Sequence, residues 1–291
     1  MSILNHTELI LNPDGSIYHL NLLPEDIADN IILVGDPDRV DIISSFFDSV
    51  EIKKKKREFV THTGFYMGTR LSVISSGIGA DNIDIVVSEL DALANIDLKT
   101  RKPKKEHRTL NLIRVGTSGS LQRDIPVDSF ILSEIAIGFD GLLNFYAGRD
   151  KVCDKGFEKS FTEAMDWNEY FAAPYVVASS DLLFKKLAGD GLIPGVTISA
   201  PGFYGPQGRE LRLPVADGQL NSKIEKFRYG KHKIINYEME CSAIYGLSKL
   251  LGHRAVTVCA IIANRITKSY SSRHEETISE LIAKVLGKLV D

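Results

Sequence analysis

Short apolar runs rich in β-branched residues recur at Ile31–Val34, Leu71–Ser75, Leu112–Val115, Phe130–Ile137, Val196–Ser199, Lys233–Tyr237 and Ala255–Ala263. Between several of them apolar residues return with the helical period, over Val40–Val50, Asn82–Asn95, Glu240–Leu251 and Glu275–Leu289. In Asn82–Asn95 the stripe is Ile83, Val86, Val87, Leu90 and Leu93, one face of a helix. Strands alternating with amphipathic helices bury both kinds of element by layering helices over a sheet. The alternation predicts an α/β fold on a largely parallel or mixed sheet. No internal repeat and no Pro/Gly/Ser-rich linker interrupts the 291 residues. The expectation is one domain over 1–291, with a polar, Lys-rich insertion at Asp97–Thr109 that forms an exposed hairpin or flexible loop without chemistry.

Composition narrows the partners. A formal charge of -3 creates no global field that would draw nucleic acid or an anionic membrane. The basic runs Lys53–Arg57 and Lys99–Arg108 lack interleaved aromatics and read as solvated loops. Three scattered cysteines, Cys153, Cys241 and Cys259, form neither a disulfide framework nor a zinc pattern and fit a reducing, cytoplasmic setting. The first residues show no basic region followed by an apolar core, so no secretory signal is expected. No apolar stretch approaches the ~18 residues that span a bilayer.

The first strand runs directly into Gly35-Asp36-Pro37-Asp38-Arg39. Asp-Pro reads as a helix cap followed by proline at the first helical position, and Gly35 lets a ligand approach the backbone. The helix start offers unpaired N–H groups, and Arg39 adds a cation where the dipole alone prefers an acid. An anion, phosphate above all, explains that cation; a capped surface helix with an Asp38–Arg39 pair is the plainer reading.

Two motifs are set aside. Gly77-Ile78-Gly79-Ala80-Asp81-Asn82 follows a strand and opens a helix like a dinucleotide fingerprint, but lacks the third glycine. His274-Glu275 begins like a zinc-protease helix, but position 278 is Ile. Three further motifs share the logic of the first. Arg114-Val115-Gly116-Thr117-Ser118-Gly119 places an arginine inside an apolar strand, which demands an anionic partner: a ligand or a structural acid. Gly202-Phe203-Tyr204-Gly205-Pro206-Gln207-Gly208-Arg209 combines an aromatic ring, an amide and a guanidinium, which together can stack on and read a flat base, or merely form a surface turn. Asn236-Tyr237-Glu238-Met239-Glu240 sits at a strand–helix junction, where two carboxylates flanking a methionine could accept vicinal hydroxyls or simply face the helix dipole.

In this order and spacing, from Tyr18-His19-Leu20 to Asn264-Arg265, the motifs resemble the nucleoside phosphorylases that include uridine phosphorylases and bacterial-type purine nucleoside phosphorylases. The resemblance implies a single domain with a central mixed sheet or distorted barrel flanked by helices. It is closer to uridine phosphorylase: Phe203, Gln207 and Arg209 match the uracil-reading loop, and Asn264 stands where purine-specific relatives carry a proton-donating Asp. It further implies phosphate binding by Gly35, Arg39, Arg114 and Thr117, with Arg57 supplied by a neighbouring subunit. Glu240 and Met239 would hold the ribose, and His19, also from the neighbour, its 5′-hydroxyl. Gln207, Arg209 and Phe203 would bind the base, with Arg265 supporting the pocket. Arg209, Gln207, Glu240 and Arg114 are the expected catalytic set.

The implied reaction is phosphorolysis of uridine to uracil and ribose 1-phosphate by a homo-oligomer with shared sites. Its partners are a nucleoside and phosphate, with no resident cofactor, no metal, no nucleic acid and no membrane. Asn82 replaces the cation-site serine of some relatives while Glu58 is kept, so a monovalent cation is not required by the resemblance. A purine phosphorylase or nucleosidase of the same fold, or a non-catalytic nucleoside binder, are the alternatives.

Overall fold

The computed structural model describes residues 3–290. In chain order its first strands are β1 (Asn30–Val34), β2 (Ser49–Lys56), β3 (Phe59–Tyr66), β4 (Thr69–Ser75), β5 (Ile96–Asp97), β6 (Lys102–Pro103) and β7 (Asn111–Ser120). They continue with β8 (Phe130–Gly138), β9 (Tyr175–Ala178), β10 (Leu192–Ser199), β11 (Arg228–Tyr229), β12 (His232–Glu238), β13 (Arg254–Asn264) and β14 (Ser269–Tyr270). The α-helices are α1 (Asp38–Ser44), α2 (Ala80–Asn95), α3 (Lys155–Met165), α4 (Asp181–Leu187), α5 (Leu220–Lys226), α6 (Cys241–Leu250) and α7 (His274–Val290).

All seven apolar runs are strands of one mixed sheet ordered β11-β12-β10-β8-β13-β7-β1-β4-β3-β2, with β9 on β8 and β14 on β13. A further pairing, Asn236↔Ser120 and Tyr237↔Gly119, joins β12 to β7. It returns the path to its start, so β7, β13, β8, β10 and β12 close a distorted barrel, and β1, β4, β3 and β2 extend from it. Within the barrel β7 runs parallel to β13, β8 parallel to β10, and the two sets oppose each other across β13 and β8. This is the α/β architecture expected from the alternating pattern.

Helices cover the sheet where their apolar stripes require it. The α2 stripe, Ile83, Val86, Val87, Leu90 and Leu93, is wholly buried in one cluster with Ile244 and Leu247 of α6. Leu281, Ile282, Val285, Leu286 and Leu289 of α7 bury against the opposite face with Val40 and Ile43 of α1. Phe157 and Phe161 of α3 close the barrel end against Val196 and Ile198. Each such side chain contributes about 1.5–3 kcal/mol when fully buried. No helix among the described residues is long and apolar enough to cross a membrane.

Two local expectations are corrected and a third is narrowed to one of its alternatives. The helix predicted over Val40–Val50 stops at Ser44. The Ser44 and Ser45 hydroxyls bond back to the Asp41 and Ile42 carbonyls, and Val50 is taken by β2, opposite Gly64. The basic run Lys53–Arg57 is not a solvated loop. Residues 53–56 complete β2, whose alternating burial and exposed lysines suit a sheet edge, and Arg57 opens the turn to β3. The insertion at 97–109 is a hairpin, β5 against β6, and it is tied down. Lys104 Nζ donates to the Leu93 and Ala94 carbonyls (3.2 and 2.8 Å), satisfying the C-terminus of α2.

Tyr245 fixes α6 to the barrel. Its hydroxyl donates to the Ser133 carbonyl (2.7 Å) and accepts from the Thr257 N–H (2.8 Å), linking β8 to β13. Tyr245→Phe leaves both backbone groups buried without a partner, at a cost of about 1–3 kcal/mol. The unfolding free energy from urea titration is expected to fall by that amount, through a lower midpoint at unchanged slope; an unchanged midpoint would mean the bridge carries no stability.

Candidate active site

A cavity of about 1150 Å³ opens where strand ends converge. Its walls come from the segments after β1, β4 and β10 and from the last residues of β7, β12 and β13. Strand ends supply a ligand site in open α/β sheets because the loops leaving them are free to vary on a rigid frame.

At its centre lies Arg114 of β7, buried, with its guanidinium bonded to Glu240 and 3.4 Å from Glu238 Oε2. Burial works against this charge, but Glu240 and Glu238 outweigh it and hold the arginine above its ordinary value. The arginine folds back over Gly116, where a Cβ would sit 1.9 Å from Arg114 Nη1, so a side chain at 116 would push the guanidinium out of its ion-paired place. The acid demanded by an arginine inside an apolar strand is therefore Glu240, and Arg114 is an ion-paired cation.

The two glutamates differ in their partners, although both line the cavity. Glu238 turns inward to accept from the Glu240 N–H (2.8 Å), the Cys241 N–H (2.9 Å) and the Ser199 hydroxyl, capping α6. Burial, with Glu240 alongside, pushes its carboxyl up to about 7 against the pull of Arg114 and the Ser199 bond. Glu240 also lines the cavity and accepts from the Gly79 N–H (2.8 Å). Gly79 has φ 99°, and a Cβ there would meet Asp81 Oδ1 at 2.7 Å. The glycine motif set aside as a dinucleotide fingerprint thus belongs to this cavity, through Gly77, Ile78 and the Gly79 contact.

Arg39 lines the same cavity beside Gly35, Thr117 and Ser118. Asp36 Oδ1 accepts from the Asp38 N–H (3.0 Å), so the predicted cap forms, but no Asp38–Arg39 pair does. Among the described residues Arg39 has no carboxylate within 4.0 Å. Burial, and then Arg114, pull its guanidinium below the ordinary value, with Asp36 offsetting part. A half-buried cation repelled by its neighbour and lacking a counter-ion is a place for an anion. The Ser118 hydroxyl, buried without a partner, adds unused hydrogen-bonding capacity.

The other end is built from the loop after β10 and the end of β13. Arg209 Nη1 donates to Gln207 Oε1 and to the Phe203 carbonyl, both at 2.6 Å, and its guanidinium stands 3.8 Å from the Phe203 ring centre. Burial, and then Arg265, pull Arg209 down, and neither arginine has a carboxylate partner among the described residues. Gln207 is buried with its amide N–H groups unspent, and Arg265 Nη1 is buried without a partner. Two guanidiniums and an amide therefore offer donors to carbonyl oxygens beside an exposed ring. Asn264 is structural: its amide donates to the Gln122 and Ile125 carbonyls (2.9 and 2.8 Å), and its oxygen accepts from the Ile266 and Thr267 N–H groups (both 2.9 Å).

Met239 lines the cavity beside Glu240, whereas His19 and Arg57 do not. His19 Nδ1 lies 2.7 Å from Glu89 Oε1, and Arg57 is exposed at the turn between β2 and β3. The sequence reading gave no role to Tyr237, Lys268, Tyr270 or His274, which also line the cavity. Glu58 and Asn82 line it as well, both packed around Gly77. Outside it, Asp91, His107 and His253 bring ligand atoms within 4.8 Å of one another. His253 Nδ1 accepts from the Leu110 N–H (3.1 Å), which puts the proton on Nε2 facing Asp91. In that tautomer His253 keeps no free lone pair, and its ring bridges Asp91 of α2 to the Leu110 N–H just before β7.

A family model described as the phosphorylase superfamily matches residues 29–291. A curated uridine phosphorylase of Thermococcus kodakarensis is 30% identical over 95% of this chain and 87% of its own. A DeoD-type purine nucleoside phosphorylase of Listeria monocytogenes is 24% identical over 92% of this chain and 97% of its own. Among solved structures, a Trypanosoma brucei nucleoside phosphorylase described as showing uridine phosphorylase activity superposes with a TM-score of 0.88 at 28% identity. The match covers 97% of this chain and 99% of that one.

The raised carboxyl of Glu238 carries a stability prediction. The folded state holds this proton more tightly than the unfolded state, so the contribution is complete below about 4.5 and is lost as pH rises through about 7. Glu238→Gln, which mimics the protonated form, is expected to melt close to the wild type at about pH 4.5 and above it at about pH 8. Parallel melting profiles would mean that the carboxylate is ionised throughout.

Proposed function

This chain belongs to the phosphorylase superfamily, and from that premise we propose that it cleaves a pyrimidine nucleoside with phosphate, converting uridine to uracil and ribose 1-phosphate. The observation that carries the reading is one cavity with an unpaired cation at each end, Arg39 and Arg209, and the Arg114–Glu240 pair between them. The uridine phosphorylase names and activity attached to the relatives point the same way. Like its homologues, the protein is an enzyme, a pentosyltransferase acting on nucleoside and phosphate.

In this reading phosphate sits with Arg39, Gly35 and Thr117, and Arg114 reaches it from the side of Glu240. The ribose lies against Met239, its 2′- and 3′-hydroxyls donating to Glu240. Uracil lies by Phe203, with Gln207 and Arg209 on its polar edge and Arg265 behind them. Cleavage at C1′ runs ahead of phosphate attack, so the sugar becomes oxocarbenium-like and negative charge grows on uracil. Arg209 stabilises that charge, while the phosphate dianion stabilises the sugar cation and then bonds to it. Fixed dipoles and charges do this work without a covalent enzyme intermediate, and phosphate as co-substrate makes a redox cofactor unnecessary.

His19 and Arg57 enter from a second copy of the chain, His19 to the 5′-hydroxyl and Arg57 to phosphate. Their place outside their own cavity and the 68% exposure of cavity-lining Ile78 support a shared site. Asn264 disfavours purines, since a neutral amide whose groups are all engaged cannot protonate a purine ring. The free cysteines fit a cytoplasmic setting.

Released base measured with and without phosphate across uridine, thymidine, inosine and adenosine tests the reading. Uracil release from uridine should depend on phosphate, and equal release in buffer free of phosphate and arsenate would overturn it. Arg209→Ala should lower uridine turnover about 100- to 1,000-fold with an unchanged melting temperature. Near-normal turnover in that variant would remove Arg209 from the chemistry.

A further inference from the structure

Lys56, the last residue of β2, is spent in an unexpected way. Two residues earlier Lys54 also lies half-buried, and it takes a carboxylate, Asp26 Oδ2 at 2.6 Å. Among the described residues Lys56 has no carboxylate within 4.0 Å. Its ammonium donates to Asn12 Oδ1 (2.8 Å) and to the Tyr18 carbonyl, and it stands 4.4 Å from the centre of the Tyr18 ring. Asn12 in turn donates to the Ser16 hydroxyl (2.9 Å) and the Ile17 carbonyl (2.8 Å), so it shapes the turn that carries Tyr18.

The Tyr18 carbonyl belongs to the peptide unit whose nitrogen is that of His19. From the other side this peptide is held by α2, because the His19 N–H donates to Glu89 Oε1 (3.0 Å) and the ring nitrogen lies 2.7 Å from the same oxygen. The Tyr18–His19 peptide is therefore gripped between a cation on one element and a carboxylate on another. The cation is the chain neighbour of Arg57, whose φ of 54° starts the two-residue turn from Lys56 to Phe59. Lysine rotamers are costly to freeze, and a neutral carbonyl returns less than an acid would. The contact is explained by what it fixes.

We infer that Lys56 is a positioning residue that locks the Tyr18–His19 backbone to the Arg57 turn, so that His19 meets the nucleoside of a second copy in one fixed orientation. The inference rests on the reading above, in which His19 contacts the 5′-hydroxyl across the subunit boundary. Lys56 touches neither substrate in that reading; its loss reaches the nucleoside through His19, whereas a loosened Arg57 turn would weaken phosphate binding equally for both nucleosides.

The test compares uridine with 5′-deoxyuridine, which lacks the group His19 would contact. Lys56→Met keeps the aliphatic stem and removes the ammonium. It is expected to lower kcat/KM for uridine about ten-fold, mostly through KM, and to change the 5′-deoxyuridine value less than about two-fold. His19→Ala should show the same selectivity. Equal losses on both nucleosides, or no loss, in Lys56→Met while His19→Ala discriminates would overturn the role of Lys56 alone. Failure of His19→Ala to discriminate would overturn the shared-site reading and this inference with it. Should Lys56→Met not fold, Asn12→Ala removes one acceptor from the same ammonium and is held to the same two outcomes.

Discussion

A single buried cation organises the cavity. Arg114 lies inside an apolar strand, and removing its bonded carboxylate, Glu240, is expected to cost about 3–5 kcal/mol, because an uncompensated charge is left behind. That penalty ties together parts far apart in sequence. Glu240 is held to Arg114 and to the Gly79 N–H, so the end of β7, the start of α6 and the loop before α2 share one geometry. Glu238 caps α6 from the same spot. The glycine at 116 is the steric condition for all of it, since any side chain there would occupy the space of the guanidinium.

Around this neutralised centre the free cations are kept apart. Arg39 stands by the loop after β1, and Arg209 and Arg265 by the loop after β10 and the end of β13. Were Arg114 unpaired, the cavity would be an undifferentiated positive field. With it paired, the cavity presents two separate cationic ends bridged by a carboxylate, which suits two anionic groups joined through a polyhydroxylated middle. In the proposed reaction those are phosphate and the departing base, and the polarity that orders them is already present in the folded chain, so no reorganisation is needed as charge develops.

Much of this was legible in the sequence because it rests on local chemistry. Continuous apolar runs located the buried strands, and a helical stripe located α2 almost to its ends. Glycine-rich strand ends marked Arg39, Arg114, Gln207, Arg209 and Glu240, all of which line the one cavity. What escaped depends on pairing or on three-dimensional direction. Strand β2 ends in four consecutive lysines, alternately exposed and half-buried, and β3 interleaves Thr and His, so neither forms the apolar run that reveals a central strand. The inward turn of Glu238 is invisible because Glu238 and Glu240 look equivalent until Ser199 and the α6 backbone select one of them. Gly77-Ile78-Gly79 looked like half a nucleotide motif, and its use as a wall that holds Glu240 follows only from β4 lying next to β1 in the sheet. In the basic insertion, by contrast, Lys104 satisfies carbonyls at the end of α2, a demand set by tertiary neighbours.

The open rim of the cavity carries the last step. A charge developing on a leaving group is stabilised by fixed donors far more strongly in a dry site than in a wet one. Ile78 is 68% exposed on that rim, and Glu58 and Asn82 stand beside it. Arg57, adjacent to Glu58, is exposed and does not line its own cavity. A lone chain would therefore leave Arg39 screened by water. A second copy brought against the β2–β3 turn would cover Ile78, exclude water from the anion end and, by symmetry, receive the same service from the first. In the proposed shared site the charge pattern of one chain makes chemical sense when its rim is closed by another, and residues 12–21 and the Arg57 turn, which look least catalytic from within a single chain, would then serve the chemistry.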